Sequence, residues 1–170
     1  MGRCPSNSDW GLEVKIRVIC VGKVKEPYLR EGLEDYLKRL TRYTEVEYME
    51  VKDEKISPSS DADVIKKREA ERIEKALVPA GRLIALDEKG QGLSSKELAE
   101  FIQHHQVQRT QVLQFVIGGA LGLAPSLLKR SFMRLSLSKM TLTHQLSRLI
   151  LLEQLYRAFT LIKGEPYHKG

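Results

Sequence analysis

The chain reads as an α/β protein with a largely parallel sheet and helices on both faces, and three observations carry that reading. Short apolar runs rich in β-branched residues alternate with longer stretches of helical periodicity, five times along the chain. The connections between them are too short to set off separate domains. The run at Val14 to Gly22 alternates and then turns apolar, as a central strand does, and Val112 to Ile117 is the most apolar run of all.

In chain order, VKIRVICVG (Val14 to Gly22) reads as a central strand that Gly22 ends. Pro27 opens a helix in which Tyr28, Leu29, Leu33, Tyr36, Leu37 and Leu40 recur at helical spacing. TEVEYMEV (Thr44 to Val51) alternates with Val46, Tyr48 and Glu50 on one face, so a position nearer the sheet edge is expected. A charged loop follows, and Asp61 is placed to cap the next helix. The apolar stripe of that helix, Val64, Ile65, Ile73, Ala76 and Leu77, is thin; its Lys66, Lys67, Arg68 and Arg72 read as a solvated face before they read as phosphate ligands. RLIALDEKG (Arg82 to Gly90) is a short strand ending on Asp87, and Ser94 with Glu97 forms a capping box for the helix beyond. His104 and His105, at its far end, are expected on the surface near the helix dipole. Val112 to Ile117 runs straight into GGALGLAP, and Pro125 opens a short helix. The last helix spans about Thr143 to Lys163, with Thr143 as N-cap and Gly164 and Pro166 as stop signals.

That last helix is apolar almost all round, so two surfaces must cover it: its own sheet and something else, for which a dimer interface is the expected answer. Its length also suits a membrane span. Arg148, Glu153 and Arg157 argue against that, because a charge at the bilayer centre costs at least about 2.5 kcal/mol on insertion scales.

With 170 residues the chain is most simply one domain, over 14–170, large enough to need no disulfide or metal staple. Cys4 and Cys20 make neither a disulfide framework nor a metal spacing, which suits a reducing cytoplasm and predicts no metal. Residues 1–13 lack the apolar core of a secretory signal and are expected to be a disordered extension or a start-site artefact. The net charge of +6 makes an anionic partner plausible, nucleic acid before membrane, although a simply basic protein would look the same.

In parallel sheets ligands sit beyond the carboxyl ends of the strands. Three loops meet that condition: Leu86 to Gly90, Ile117 to Gly122 and Leu137 to Leu142. Gly118, Gly119 and Gly122 permit close backbone approach, but their G-G-x-x-G spacing matches neither the dinucleotide fingerprint nor a phosphate loop. They can be read as a tight turn and nothing more. The second loop, LSKMTL, adds backbone amides, hydroxyls and apolar walls suited to a flat, weakly charged ligand such as an adenosine.

FVIGGALGL, then LSLSKMTLTHQLSRLILLEQLYRAF, then the terminal GEPYHKG closely resemble the RlmH family, as do the opening VKIRVICVGKVKEPYL and the LDEKG turn. These are S-adenosylmethionine-dependent methyltransferases of the SPOUT class, which modify N3 of a pseudouridine in 23S ribosomal RNA of the large subunit. The resemblance covers Val14 to Gly170 and implies a SPOUT-type, Rossmann-like fold with a C-terminal deep trefoil knot and an active homodimer. It also implies S-adenosylmethionine held by Leu86, Gly118, Leu137, Ser138, Lys139, Met140, Thr141 and Leu142, with Gly119 and Gly122 shaping the turn.

Methylating an imide nitrogen requires alignment with the sulfonium methyl and loss of one proton. Candidates for catalysis are Arg157, His144 and His168; for the RNA, Tyr167, His168, Lys169 and Arg148. Glu153 and Arg157, with Thr160, form the helix's one narrow polar stripe, and Glu153 reads first as the structural partner of Arg157. His144, at a helix N-terminus, is expected to have a depressed pKa and to serve as a neutral base or a core hydrogen-bonder. The tail is expected to fold over the partner subunit's pocket. A non-catalytic RNA- or ribosome-binding protein is the alternative of another class, and a nucleotide-dependent oxidoreductase is disfavoured by the missing fingerprint.

Overall fold

Why each strand is followed by a helix is visible in its caps and breakers. The computed structural model describes residues 13–169, so Cys4 and all of the expected extension except Glu13 lie outside the described residues. The elements are β1 Lys15–Val21, α1 Pro27–Leu40, β2 Val46–Val51, α2 Ala62–Ala76, β3 Gly81–Gly92, α3 Ser95–Val107, β4 Val112–Ile117, α4 Pro125–Arg130, β5 Met133–Ser136 and α5 His144–Ile162. Pro27 and Pro125 occupy first turns, and Asp61 accepts from the Asp63 amide at 2.9 Å. The capping box closes reciprocally: Glu97 N–H donates to Ser94 Oγ at 3.1 Å, and Ser94 N–H donates to Glu97 Oε2 at 2.6 Å.

All five strands are parallel, in the order β2-β1-β4-β3-β5, which puts β2 at an edge as its alternation suggests. Alternate residues of β1 feed two cores. Ile16, Val18 and Cys20 pack towards α1, α3 and α5, while Ile19 and Val21 pack towards α2 and α4. Cys20 is a buried free thiol, whose pKa burial pushes up to about 12.

Four expectations change. β3 does not stop at Asp87: after a register break between Leu86 and Gln91 the chain rejoins β5, with Gln91 paired to Leu135 and Gly92 to Ser136. Tyr28, counted with the apolar series of α1, is 68% exposed. His105 is buried rather than on the surface; its Nδ1 lies 2.8 Å from Thr110 Oγ1, and its ring packs on Phe101 and Phe132. Burial, then the charges of His104 and Arg82, lowers its pKa.

The fourth concerns α5. Leu151, Leu152, Leu155, Tyr156, Ala158 and Phe159 are all buried within one chain. Part of the second covering surface is supplied by this chain's own helices, while Leu146 stays 37% exposed and Leu149, Ile150, Leu161 and Ile162 are half-buried. Ser95 Oγ of α3 donates to Gln154 Oε1 at 2.6 Å, Tyr36 of α1 packs on Tyr156, and a Cβ on Gly32 would sit 2.9 Å from Leu149 Cδ1. The cover expected from outside the chain is thus partly intrachain, and the exposed Leu146 end of the helix is left open. Among the described residues no helix is long and apolar enough to cross a membrane.

Candidate active site

Three adjacent strands, β4, β3 and β5, deliver the three loops to the carboxyl end of the sheet. After β4 the chain makes a tight turn, with Gly122 N–H donating to Gly119 O at 3.0 Å. Glycine is needed at two points of it. A Cβ on Gly118 would lie 2.7 Å from the Gly122 carbonyl carbon, and Gly122 has φ +81°. The loop after β5 is held by its own hydroxyls: Ser136 Oγ donates to Ser138 O and the Met140 amide to Ser138 Oγ, both at 2.9 Å. Thr141 Oγ1 donates to Glu88 Oε2 at 3.3 Å, tying this loop to the one after β3. Leu86, Leu137, Ser138 and Leu142 are half-buried, whereas Lys139, Met140 and Thr141 are exposed. Half-buried leucines, free-standing Met140 and a turn of bare backbone make walls for a flat, largely apolar group, and these residues fit an adenosine-bearing cofactor.

Glu69 was not among the expected site residues. It is 4% exposed on α2, its Oε1 accepts from the Glu54 amide at 3.1 Å, and its Oε2 would lie 3.2 Å from a Cβ on Gly119. Burial raises its pKa, opposed by that amide and assisted by Asp53. The signal for it was present: Glu69 stands four residues from both Ile65 and Ile73, on the apolar stripe itself.

His144, the first residue of α5, lies at the same end of the sheet. Its pKa is lowered, as expected, but burial is the leading cause, with the Arg148 and Lys25 charges assisting and Asp53 opposing. Arg148 corrects an expectation. It is fully buried and spends its guanidinium on Val21 O at 2.6 Å and Gly22 O at 2.9 Å, with Tyr48 and Glu50 alongside, so it is not available to an RNA.

Arg157, Tyr167 and His168 form a second cluster. Arg157 pairs with Glu153, its Cζ lies 4.8 Å from the Tyr167 ring centroid, and its Nη1 is 3.5 Å from His168 Nδ1. Tyr167 Oη donates to Glu153 Oε1 at 3.2 Å and packs edge-on against Tyr156, while Tyr43 donates to Glu165. The tail is thus docked on α1 and α5 of its own chain; Lys169 is exposed. Thr160 is buried, its hydroxyl turned back to Arg157 O at 2.7 Å.

The two clusters stand at opposite ends of the sheet. Arg148 ties the start of α5 to the carboxyl end of β1, and Tyr43, just ahead of β2, packs on Phe159 near its end. At 1.5 Å per residue, Arg157 lies roughly 20 Å down the helix axis from Thr143. Within one chain the loops have His144 beside them but not Arg157, Tyr167 or His168. A shallow hollow of about 480 Å³ between α1 and β2, lined by Lys23, Arg30, Leu37 and Tyr48 among others, is separate from both. Among the described residues no three His, Cys, Asp or Glu side chains are grouped to hold a metal.

Residues 14–168 match the family described as "Predicted SPOUT methyltransferase". The chain is 48% identical over 160 residues to the ribosomal RNA large subunit methyltransferase H of Carboxydothermus hydrogenoformans, covering 92% of this chain and 100% of that one. With the protein of the same name from Syntrophotalea carbinolica it shares 46% identity over 155 residues, 91% of this chain and 99% of the other. Among solved structures, a probable methyltransferase from Bordetella pertussis aligns with TM-score 0.54 at 12% identity, over 86% of this chain and 95% of that one. A probable methylase family protein from Haemophilus influenzae aligns with TM-score 0.51 at 14% identity, over 91% and 70% respectively. These two bear on the fold alone.

Proposed function

Since the chain belongs to the SPOUT methyltransferase family, we propose that it transfers the methyl group of S-adenosylmethionine to N3 of a pseudouridine in 23S ribosomal RNA, acting in the cytoplasm as a homodimer. The observation that carries this is the convergence of the three loops at one end of the sheet, in a chain nearly half identical along its length to ribosomal RNA large subunit methyltransferases. A knotted C-terminal segment, threaded where the loop after β5 leads into α5, belongs to the same reading.

S-adenosylmethionine, when bound, supplies an already activated methyl group. Leu86, Leu137 and Leu142 would flank its adenosine, with Gly118, Gly119 and Ser138 to Thr141 offering backbone and hydroxyl contacts. The protein's remaining tasks are to align the base and to take up the N3 proton. His144 is kept neutral by burial and by the cation beside it, so its imidazole has a lone pair to accept a proton at pH 7. Arg157 is held charged by Glu153 and, with Tyr167, His168 and Lys169, can grip phosphate or a carbonyl oxygen that gains charge as the proton leaves.

Their distance from the loops supports a two-chain site, in which the tail and Arg157 of one protomer serve the loops of the other. The test is transfer of labelled methyl from S-adenosylmethionine to ribosomes lacking the modification, followed by base mapping. Label is expected at one pseudouridine of the large-subunit RNA; no incorporation there would refute the assignment.

A further inference from the structure

Arg148 is the largest fully buried side chain among the described residues, and the proposed chemistry draws on it only as the cation beside His144. Taking a guanidinium out of water is costly unless its donors are matched. Its Nη2 donates to Val21 O at 2.6 Å, and Nη1 is shared among Gly22 O at 2.9 Å, Tyr48 Oη at 3.1 Å and Glu50 Oε1 at 3.3 Å. Nε is buried without a partner. Four acceptors therefore converge from two neighbouring strands. Two are successive carbonyls at the point where β1 ends and Gly22, at φ +84°, turns the chain away.

A second tie lies one turn earlier on the same helix, where Lys25 N–H donates to Gln145 Oε1 at 3.1 Å. Thr143, whose hydroxyl accepts from the Leu146 amide at 3.2 Å, is built into that first turn. Whatever holds Gln145 and Arg148 therefore also holds Thr143, and with it the exit of the loop that ends at Leu142. The other end of the loop is fixed by the pairing of β5 with β3.

We propose that Arg148 is a positioning residue for the cofactor loop: its grip on the ends of β1 and β2 fixes the start of α5 and so the path of residues 137–142. This rests on the reading of that loop as the S-adenosylmethionine wall. The planar fork matters as well as the charge. A lysine ammonium could reach one carbonyl but could not span Val21 O and Gly22 O in the same geometry.

The test uses the full chain and the variants Arg148→Lys and Arg148→Ala. Amide hydrogen exchange should show residues 137–146 losing protection on the order of tenfold in both, with β4 and α3 unchanged. Millimolar guanidinium should restore that protection in Arg148→Ala, and ethylammonium should not. By calorimetry the Kd for S-adenosylmethionine should rise about tenfold in Arg148→Lys. Wild-type protection and affinity in Arg148→Lys would overturn the proposal. So would protection lost evenly over the whole chain in both variants, which would mark a role in global stability alone. If the parent itself bound no S-adenosylmethionine, the functional reading would fail, while the exchange measurement would still decide whether Arg148 orders the loop.

Discussion

Glu69 stands between Ile65 and Ile73 on the buried stripe of α2, against the glycine turn after β4. A carboxylate there gives up hydration for a single amide donor, so burial raises its pKa and the folded state holds a proton more tightly than the unfolded chain. For such a group, the stabilisation is fully present below the unfolded carboxylate pKa and is lost as pH rises through the folded value. Glu69→Gln keeps an oxygen for the Glu54 amide and removes the ionisation. Its Tm should therefore exceed that of the parent near pH 8, by a margin that shrinks as pH falls towards about 4. Thermal unfolding followed by circular dichroism over that range checks this, and a pH-independent gap would mean that ionisation of Glu69 is not what the substitution relieves. The same logic with the opposite sign applies to His105, whose lowered pKa withdraws stability as pH falls below the ordinary imidazole range.

For the elements, α5 shows how local and long-range effects divide. Its start is set by chain neighbours: Thr143 accepts from the Leu146 amide, and its carbonyl receives both the Ser147 amide and the Ser147 hydroxyl, each at 2.9 Å. Thr143→Ala should lower unfolding free energy by about 1 kcal/mol, as cap removals do, with the slope of a urea titration unchanged. A loss several times larger would show that Thr143 also serves the loop before it. Which surfaces bury the helix is another matter. Gly32 lets α1 approach Leu149, and Ser95 of α3 reaches Gln154. Neither contact can be anticipated from the helix's own periodicity.

In the molecule as a whole, the loops and the Arg157 cluster occupy opposite ends of one sheet, and the proposed activity needs both. If two chains complete each other, a chain lacking residues 167–170 and a chain carrying Gly118→Ala should each be inactive with ribosomes, the first still binding S-adenosylmethionine. The alanine methyl would meet the Gly122 backbone at 2.7 Å and distort the turn. Mixed in equal amounts and allowed to exchange, half of the dimers are hybrids with one sound site of two, so about a quarter of parental activity should return. No recovery from folded, exchanging dimers would place the whole site within a single chain.

Most of the architecture was legible from residues close together in the chain. Asp61, the Ser94 and Glu97 pair and Thr143 cap the helices where expected, Pro27 and Pro125 open theirs, and the alternating apolar runs became five parallel strands with the three loops at their carboxyl ends. Such features follow from hydrogen bonds and dihedral limits within a few residues, which composition and spacing record directly. The site was only partly legible. The glycine turn and LSKMTL could be picked out, whereas the burial of Arg148 and His105, the rejoining of β3 to β5 and the placing of Glu69 beneath Gly119 could not. Arg148 meets Val21 across 127 positions of sequence, and whether a charged side chain faces solvent or two bare carbonyls depends on which strand end the folded chain brings beneath it.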